Sequence, residues 1–244
     1  MKYVVLGSTL EGLLLSLELA KLQHEVVLID IEAEIGMPIQ HPSRIINPDL
    51  LDVYFSKSEQ RFLSLHNNVD GWGCRWEWVM KFLAHQVARH GVQCLTRTRV
   101  LGSETENQQI ALLLSTHERH QPEKLVADAV INMPQQNPGT PGRHQHVLES
   151  LHTVWFPTTP CSLWHGRTFL TNPPPQFTQP PVFQLRRNDG LIEVWWKLRP
   201  DEPSTGTVIE RCEVHLPTNA QDVSFDAAIE RVHRFVETFC ERSH

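Results

Sequence analysis

The sequence predicts an α/β protein with a parallel βαβ unit at the amino terminus, an attached and mostly antiparallel β-sheet region, and a carboxy-terminal helix. Three observations predict this architecture. Two apolar runs, Lys2–Leu6 and Glu25–Asp30, enclose a helical pattern within the first thirty residues. Proline breaks the chain repeatedly from Pro134 onward, and Phe225–Cys240 carries apolar residues at helical spacing. The two apolar runs suit strands that are buried on both faces, as in parallel sheets.

The elements of the first half follow in order. Leu10–Gln23 has a broad apolar face and predicts a helix, and Pro48–Phe55 predicts a short helical stretch. Trp76–His90 predicts a second long helix, which Gly91 ends. Four short strands are expected to complete one nucleotide-binding sheet, and they are Val92–Leu95, Arg99–Leu101, Gln109–Ser115 and Leu125–Asn132.

The second half predicts a β-hairpin and a further strand. Val182–Arg187 and Leu191–Leu198 flank Asn188-Asp189-Gly190, and the Asp-Gly pair tolerates the positive φ angles of a tight turn. Thr207–Leu216 is the third strand candidate, and other short strands are expected between the prolines.

The change in composition places a domain boundary after the apolar strands. We predict a Rossmann-like dinucleotide-binding part at residues 1–133, a linker at 134–150, and a substrate-domain-like sheet with the final helix at 151–244.

Bulk composition excludes several classes of protein. The net charge of −6 over 244 residues argues against a nucleic-acid partner, and the chain has no apolar run long enough for a membrane span. The apolar run at the amino terminus, which Gly7 interrupts, is too short for a secretory signal. The five dispersed cysteines indicate free thiols in the cytoplasm. The pairs His117/His120 and His144/His146 lie in polar stretches, and no metal site is expected.

The chemistry-bearing motif follows the first strand. Gly7-Ser8-Thr9-Leu10-Glu11-Gly12 stands where a GxGxxG loop is expected, with Thr9 at the central glycine. Gly7 provides the tight turn, and Gly12 allows close packing of the helix that starts at Leu10. Backbone N–H groups at that helix start attract a diphosphate. Thr9 either donates a hydrogen bond in compensation or blocks the loop.

Asp30 ends the second strand about twenty residues after the loop. A carboxylate in that place accepts hydrogen bonds from ribose hydroxyls and disfavours a 2′-phosphate. The motif therefore predicts FAD or NAD rather than NADP.

Val4–Asp30 resembles the amino-terminal fingerprint of FAD-dependent oxidoreductases, especially the flavoprotein monooxygenase and geranylgeranyl-reductase-like superfamily. The resemblance covers roughly residues 1–132 and implies FAD as the cofactor. It implies that Arg75, which precedes a helix, lies near the cofactor, and that Val100 lies in the strand that passes the adenine. The Asp-Gly pair of that family is missing after Asn132, as is its late Gly-Asp motif.

Several other residues are candidates with more than one interpretation. Arg44 either pairs with a pyrophosphate or is a surface arginine. His41 beside it either contacts a flavin or substrate or is exposed to solvent, and exposure is the expectation. Tryptophans line a substrate pocket, stack on a flavin, or belong to the core. They are Trp72, Trp76, Trp78, Trp195 and Trp196. Trp195 and Trp196 must face opposite sides of a strand, so one of them is expected in the core and the other at an interface or pocket.

The leading hypothesis is an FAD-binding oxidoreductase-like protein that acts on a small apolar molecule. Its expected cofactor contacts are Gly7, Thr9, Leu10, Gly12 and Asp30, followed by Arg44, Arg75 and Val100. A catalytically inactive flavoprotein fold that acts as a binding or assembly module is the alternative, and a homo-oligomer or a protein partner is compatible with both. An NAD-dependent dehydrogenase ranks third, because it requires a catalytic constellation that the sequence does not show.

Overall fold

The structure of the protein is a computed structural model that describes residues 1–37, 39, 41–106, 109–116, 122–134, 146–148, 153–172, 175–203 and 205–241. The described residues form fifteen strands and five α-helices. The strands are β1 Lys2–Leu6, β2 Glu25–Ile29, β3 Arg44–Ile45, β4 His66–Asn68, β5 Gly71–Gly73, β6 Gln93–Leu95, β7 Thr98–Glu106, β8 Gln109–Thr116, β9 Lys124–Ala127, β10 Ala129–Asn132, β11 Thr153–Trp155, β12 Cys161–Leu170, β13 Phe183–Arg186, β14 Leu191–Trp196 and β15 Val208–Pro217. The helices are α1 Leu10–Lys21, α2 Leu51–Tyr54, α3 Lys57–Gln60, α4 Trp76–Arg89 and α5 Phe225–Glu241.

The chain divides into two compact units that alternate along the sequence. Unit 1 comprises residues 1–38, 83–158 and 230–244, and unit 2 comprises residues 39–82 and 159–229. These units differ from the expected linear parts at 1–133 and 151–244, because residues 39–82 cluster with the second half of the chain. Most of the expected linker lies outside the described residues.

Unit 1 contains a parallel sheet of five strands in the order β11-β10-β1-β2-β6. The predicted βαβ arrangement is confirmed, since β1 and β2 pair in parallel with Lys2 opposite Glu25 and α1 connects them. Apolar runs form these strands because both of their faces are covered.

One face of the parallel sheet is covered by a separate antiparallel sheet, in the order β7-β8-β9. Val4, Ile29 and Val130 of the parallel sheet share a core with Val100 and Leu112 of the antiparallel one. The expectation that these strands all complete one sheet is therefore wrong for β7, β8 and β9, while β6 and β10 do join the parallel sheet.

The run Leu125–Asn132 forms two strands in different sheets rather than one. Asp128 separates β9 from β10, and its Oδ2 accepts a hydrogen bond from the N–H of Lys2 at 2.7 Å. The side chain of Gln109 donates to the other carboxylate oxygen at 2.8 Å. A polar residue at this place lets the chain leave one sheet and enter the next.

Unit 2 contains an antiparallel sheet of four strands, in the order β13-β14-β12-β15, and a small sheet of three, in the order β3-β5-β4. The predicted hairpin is confirmed, since β13 and β14 pair antiparallel and Gly190 has φ +83° in the connecting turn. Trp195 and Trp196 do face opposite sides, and each is buried in its own apolar cluster. Both are therefore core residues, whereas the sequence predicted a core position for only one of them.

The ten-residue strand β12 lies in the middle of this sheet and was not predicted. Its polar residues His165 and Arg167 are buried on either side of Gly166, which breaks the apolar alternation. A Cβ on Gly166 would lie 2.7 Å from the sulfur of Cys212 and from the ring of Trp195. The side chains of neighbouring strands thus require glycine at the centre of β12.

Helices α4 and α5 agree with their predicted ranges to within one residue at each end. In unit 1 the end of α5 packs on the parallel sheet, with the rings of Phe239 and Tyr3 5.4 Å apart. Of the helices that the structure describes, none is both long and apolar enough to cross a membrane.

Candidate functional site

The glycine turn after β1 has the backbone geometry that the sequence predicts. Gly7 has φ +106°, and its N–H donates to the carbonyl of Ile29 at 2.9 Å. A Cβ on Gly12 would lie 2.1 Å from the carbonyl oxygen of Gly7, so only glycine lets α1 approach the turn this closely. The side chain of Met133 packs against both glycines from below the turn.

Thr9 is the N-cap of α1, a role that neither interpretation of this residue anticipated. Its Oγ1 accepts a hydrogen bond from the N–H of Gly12 at 3.2 Å. The N–H groups of Leu10 and Glu11 belong to the first turn, where an α-helix provides no intrahelical acceptor. The helix dipole adds partial positive charge at the same place.

Asp30 points toward this turn from the end of β2 and is buried. Its Oδ2 accepts from the N–H of Ser8 at 2.6 Å and also from the hydroxyl of Ser8. Its Oδ1 accepts from the N–H of Glu32 at 2.8 Å, and the Ser8 hydroxyl in turn accepts from the N–H of Gly36 at 2.7 Å. Ser8 therefore joins the turn to the loop that follows β2.

Val100 lies close to the same strand end. The N–H of Thr98 donates to the carbonyl of Asp30 at 3.0 Å, and Val100 follows two residues later in β7. Its backbone N–H donates to Nδ1 of His146 at 3.1 Å, and its carbonyl accepts from the N–H of Val147 at 2.9 Å. Gly7, Thr9, Leu10, Gly12, Asp30 and Val100 are thus all in unit 1, at the carboxyl ends of β1 and β2.

Arg44 belongs to unit 2, where its guanidinium has several partners. Nε donates to the carbonyl of Asp70 at 2.7 Å, and Nη1 donates to the carbonyl of Ala220 at 2.8 Å. The guanidinium carbon lies 4.4 Å from the ring centre of Phe183. Burial lowers the pKa of Arg44, and the charges of Asp70 and Asp226 oppose that shift.

Arg75 also belongs to unit 2 and precedes α4. Its Nε donates to Glu77 at 2.7 Å and lies 3.7 Å from Asp189. Its guanidinium carbon is 5.7 Å from the ring centre of Trp78. Within their own unit, both arginines are therefore engaged in contacts that organise unit 2.

Unit 2 has a cavity of about 80 Å³ beside the centre of its four-stranded sheet. Aromatic and charged side chains line it, among them His41, Trp76, Arg187, Glu193 and Trp195. The expectation that His41 is exposed is wrong, because the residue is 7% exposed and its ring stacks on Trp76 at 4.8 Å. Its Nδ1 lies 2.7 Å from the carbonyl oxygen of Pro42.

Glu193 is the buried carboxylate of this cavity. It accepts from the N–H of Ser43 at 3.1 Å, from Nε1 of Trp195 at 3.2 Å and from Arg187 at 3.4 Å. Burial raises the pKa of Glu193, although the hydrogen bonds of Ser43 and the charge of Arg187 oppose the shift. Burial also lowers the pKa of Arg187, but the charges of Glu193 and Asp189 outweigh it and raise that pKa.

A metal site is not found among the residues that the structure describes, where no cluster of three His, Cys, Asp or Glu side chains has suitable placement. His117, His120 and His144 of the histidine pairs lie outside those residues.

The sequence matches no protein-family model and no curated protein. Its fold, however, is similar to that of several solved structures. The p-nitrophenol 4-monooxygenase PnpA from Pseudomonas putida DLL-E4 is 12% identical, with a TM-score of 0.59 over 88% of this chain and 67% of that one. The halogenase PltM is 11% identical, with a TM-score of 0.58 over 99% of this chain and 70% of that one. CabE, an aromatic hydroxylase from angucycline biosynthesis, is 11% identical, with a TM-score of 0.51 over 87% of this chain.

These comparisons define the class of fold. The mixed α/β architecture, with one parallel and several antiparallel sheets, is that of these monooxygenases, hydroxylases and halogenases. The resemblance found at the amino terminus is therefore confirmed at the level of the fold. The chain spans 51% of the length of CabE and 60% of that of AlpK, another similar structure.

Sequence reasoning missed two residues that contact the predicted site, Ser8 and His146. Ser8 lies inside the glycine motif, and a hydroxyl next to Gly7 was a usable signal. His146 is 46 residues from Val100, and no local pattern connects the two.

Proposed function

We propose that unit 1 binds the ADP half of FAD, and that the protein is a small FAD-binding, oxidoreductase-like protein. One observation carries the proposal: the turn at Gly7 and Gly12, at the start of α1, faces the carboxylate of Asp30. Diphosphates bind at such helix starts, and a carboxylate at the end of the next strand accepts hydrogen bonds from ribose. The Rossmann-like nature of the parallel sheet is part of the same proposal.

The proposed roles follow from the geometry of each residue. Gly7 makes the tight turn beside the diphosphate, Gly12 lets α1 pack closely on that turn, and Leu10 offers a first-turn N–H group. Thr9 holds the helix start in place as its cap. Val100 borders the adenine, as the resemblance implies. Arg44 and Arg75 are proposed cofactor contacts of lower rank, because their guanidinium groups already have partners in unit 2.

Asp30 retains acceptor capacity for a ribose hydroxyl. A carboxylate offers about four lone-pair sites. The described contacts use three of them, through the N–H and hydroxyl of Ser8 and the N–H of Glu32. The residues of this turn therefore fit the sugar and diphosphate of a dinucleotide.

A bound flavin supplies the redox chemistry, while the protein supplies binding, orientation and shielding from water. The substrate is proposed to be a small molecule. The faces of Trp76 and Trp195 in the cavity of unit 2 suit an apolar ring.

The test is an absorbance spectrum of the purified protein, followed by titration with FAD, ADP and NAD⁺. Flavin bands near roughly 375 and 450 nm, or saturable binding of added FAD, support the proposal. Asp30→Asn is expected to weaken binding of ADP by about ten- to a hundredfold, because hydrogen bonds to a charged group contribute about 1.5–3 kcal/mol.

Asp128→Asn is the matched control, since Asp128 also accepts from a backbone N–H in unit 1 but lies at the opposite end of β1. Its affinity for ADP is expected to equal that of the unmodified protein. A colourless protein that binds neither FAD nor ADP contradicts the proposal.

A second candidate is an assembly or binding module without turnover. The observation that favours it is the internal bonding of Asp30, whose carboxylate already joins Ser8 to Glu32. For this candidate we expect no flavin uptake, and an unfolding temperature that does not change when FAD is added.

A further inference from the structure

Val100 presents a matched pair of backbone groups at the edge of a sheet. β7 is an edge strand that pairs only with β8 in its three-stranded sheet. On the edge opposite β8, the N–H of Val100 donates to Nδ1 of His146, and its carbonyl accepts from the N–H of Val147. Val100 itself is 0% exposed, so both of these backbone groups are buried and require partners.

This edge lies beside the place proposed for the ribose. The carbonyl of Asp30 is bonded to the N–H of Thr98, two residues before Val100. The charge of Asp30 reaches His146 and acts to raise its pKa. A base attached to a ribose at Asp30 therefore has the edge of Val100 within its reach.

Adenine is complementary to this pair of groups. Its edge carries an amino donor next to a ring-nitrogen acceptor. His146 Nδ1 and Val147 N–H present the same combination, an aromatic ring nitrogen as acceptor and an adjacent N–H as donor. Leu148 provides apolar contact in addition to these polar groups, as the face of an adenine ring would. It packs on the apolar cluster that contains Leu6, Ile29 and Val100.

The protonation state of His146 agrees with this geometry. Burial lowers its pKa to about 4, with a smaller contribution in the same direction from Arg99 and an opposing one from Asp30. The imidazole is therefore neutral at pH 7, and Nδ1 is available as an acceptor for the N–H of Val100.

We propose that His146–Leu148 occupies the adenine subsite of unit 1 and competes with adenine nucleotides for the backbone of Val100. The inference rests on the proposed function, since it concerns the same dinucleotide site. Binding of ADP displaces this segment, and the apparent affinity is the intrinsic affinity multiplied by the fraction of molecules in which the segment is already displaced.

The experiment is titration of the full chain with ADP by calorimetry, for the unmodified protein and three variants. His146→Ala removes the competing acceptor and Leu148→Ser weakens the apolar anchor. Each is expected to tighten ADP binding on the order of tenfold. Val147→Ala is the matched control, because its side chain is 49% exposed and only its backbone N–H contacts Val100. Its affinity is expected to stay unchanged.

A second measurement uses the unmodified protein alone. The pKa of His146, followed by NMR, is expected to rise from about 4 toward its ordinary value when ADP saturates the site, because displacement exposes the ring to water. This readout needs no variant and therefore does not depend on how well the variants fold.

The outcomes separate this inference from the proposed function. If the unmodified protein binds ADP, but both variants bind no tighter and the pKa of His146 does not move, the inference is overturned and the proposed function stands. If no form of the protein binds ADP at millimolar concentration, both are overturned. Tighter binding by either variant together with the shift in pKa supports both.

Discussion

The backbone N–H of Ser8 donates to Oδ2 of Asp30 at 2.6 Å. The Ser8 hydroxyl bonds to the same oxygen and accepts from the N–H of Gly36, so one serine connects the glycine turn, the end of β2 and the loop after it. The turn is consequently held in place by the chain itself. A ligand at this turn meets a preformed backbone rather than having to order it.

Thr9 gives the first prediction, because it is a cap as well as a departure from the glycine motif. Thr9→Ala is expected to lower the free energy of unfolding by about 1 kcal/mol, since the N–H of Gly12 loses its acceptor, whereas Thr9→Gly costs only a few tenths. Urea unfolding measures both.

The same pair of variants tests ligand binding at the turn. Thr9→Gly is expected to tighten ADP binding if the Cβ and hydroxyl of Thr9 impede the diphosphate. Unchanged binding would show that Thr9 does not obstruct the turn, and would leave the missing Asp-Gly and Gly-Asp motifs as the cause of any weak cofactor binding.

Gly12 gives the second prediction. Gly12→Ala is expected to destabilise the protein by about 1–3 kcal/mol or more, because the added Cβ would stand 2.1 Å from the carbonyl oxygen of Gly7 and force α1 away from β1. Thermal unfolding followed by circular dichroism measures the loss.

Gly102→Ala is the control for Gly12→Ala. Gly102 lies in β7 of the same unit, and no heavy atom stands within 4 Å of the position of its Cβ. Its substitution is expected to change the free energy of unfolding by less than about 0.5 kcal/mol. Equal effects of the two variants would contradict the close packing of Gly12.

The amino-terminal unit was predictable because its signals are local. Lys2–Leu6 became β1 with the predicted bounds, and the helix and strand after it ended within two residues of expectation. Short continuous apolar runs predict buried parallel strands well, because both faces of such a strand pack against apolar side chains. The hairpin at Asp189-Gly190 was predictable for a similar reason, as its turn is encoded in adjacent residues.

The remaining features depend on contacts between distant residues. Strand β12 has no apolar alternation, because its buried centre consists of His165, Gly166 and Arg167. Its glycine is required because the side chains of Cys212 and Trp195 fill the adjacent space. Ser43 and Glu193 are 150 residues apart, and His146 and Val100 are 46 apart. No window of sequence shows such pairs, which explains why the contacts of the site were less predictable than its glycines.

His146 gives the third prediction, which concerns pH. Its pKa is about 4 in the folded protein and near 6.5 in the unfolded chain, so between these values the unfolded chain binds more protons. The contribution of His146 to stability is therefore present above pH 6.5 and is lost as the pH falls toward 4. The slope is at most about 1.4 kcal/mol per pH unit.

The measurement is the difference between the unmodified protein and His146→Gln in urea unfolding from pH 7 to 4. Taking the difference removes the titration of the other histidines. Asp30 and Arg99, the charged groups that act on His146, are present in both proteins. A difference that is constant across this range would show that His146 is exposed and titrates normally.

Glu193 gives the fourth prediction. Glu193→Ala is expected to lower the free energy of unfolding by about 3–5 kcal/mol, because it leaves the buried guanidinium of Arg187 without one of its two carboxylate partners. It also leaves the N–H groups of Ser43 and Trp195 without this acceptor. Glu230→Ala, at an exposed position of α5 away from the cavity lining, is the control and should change stability by less than about 0.5 kcal/mol. Denaturant unfolding of the three proteins measures the effect.

A loss below 1 kcal/mol for Glu193→Ala would mean that water reaches the cavity and replaces the carboxylate. This part of unit 2 would then be more open to solvent than its packing indicates.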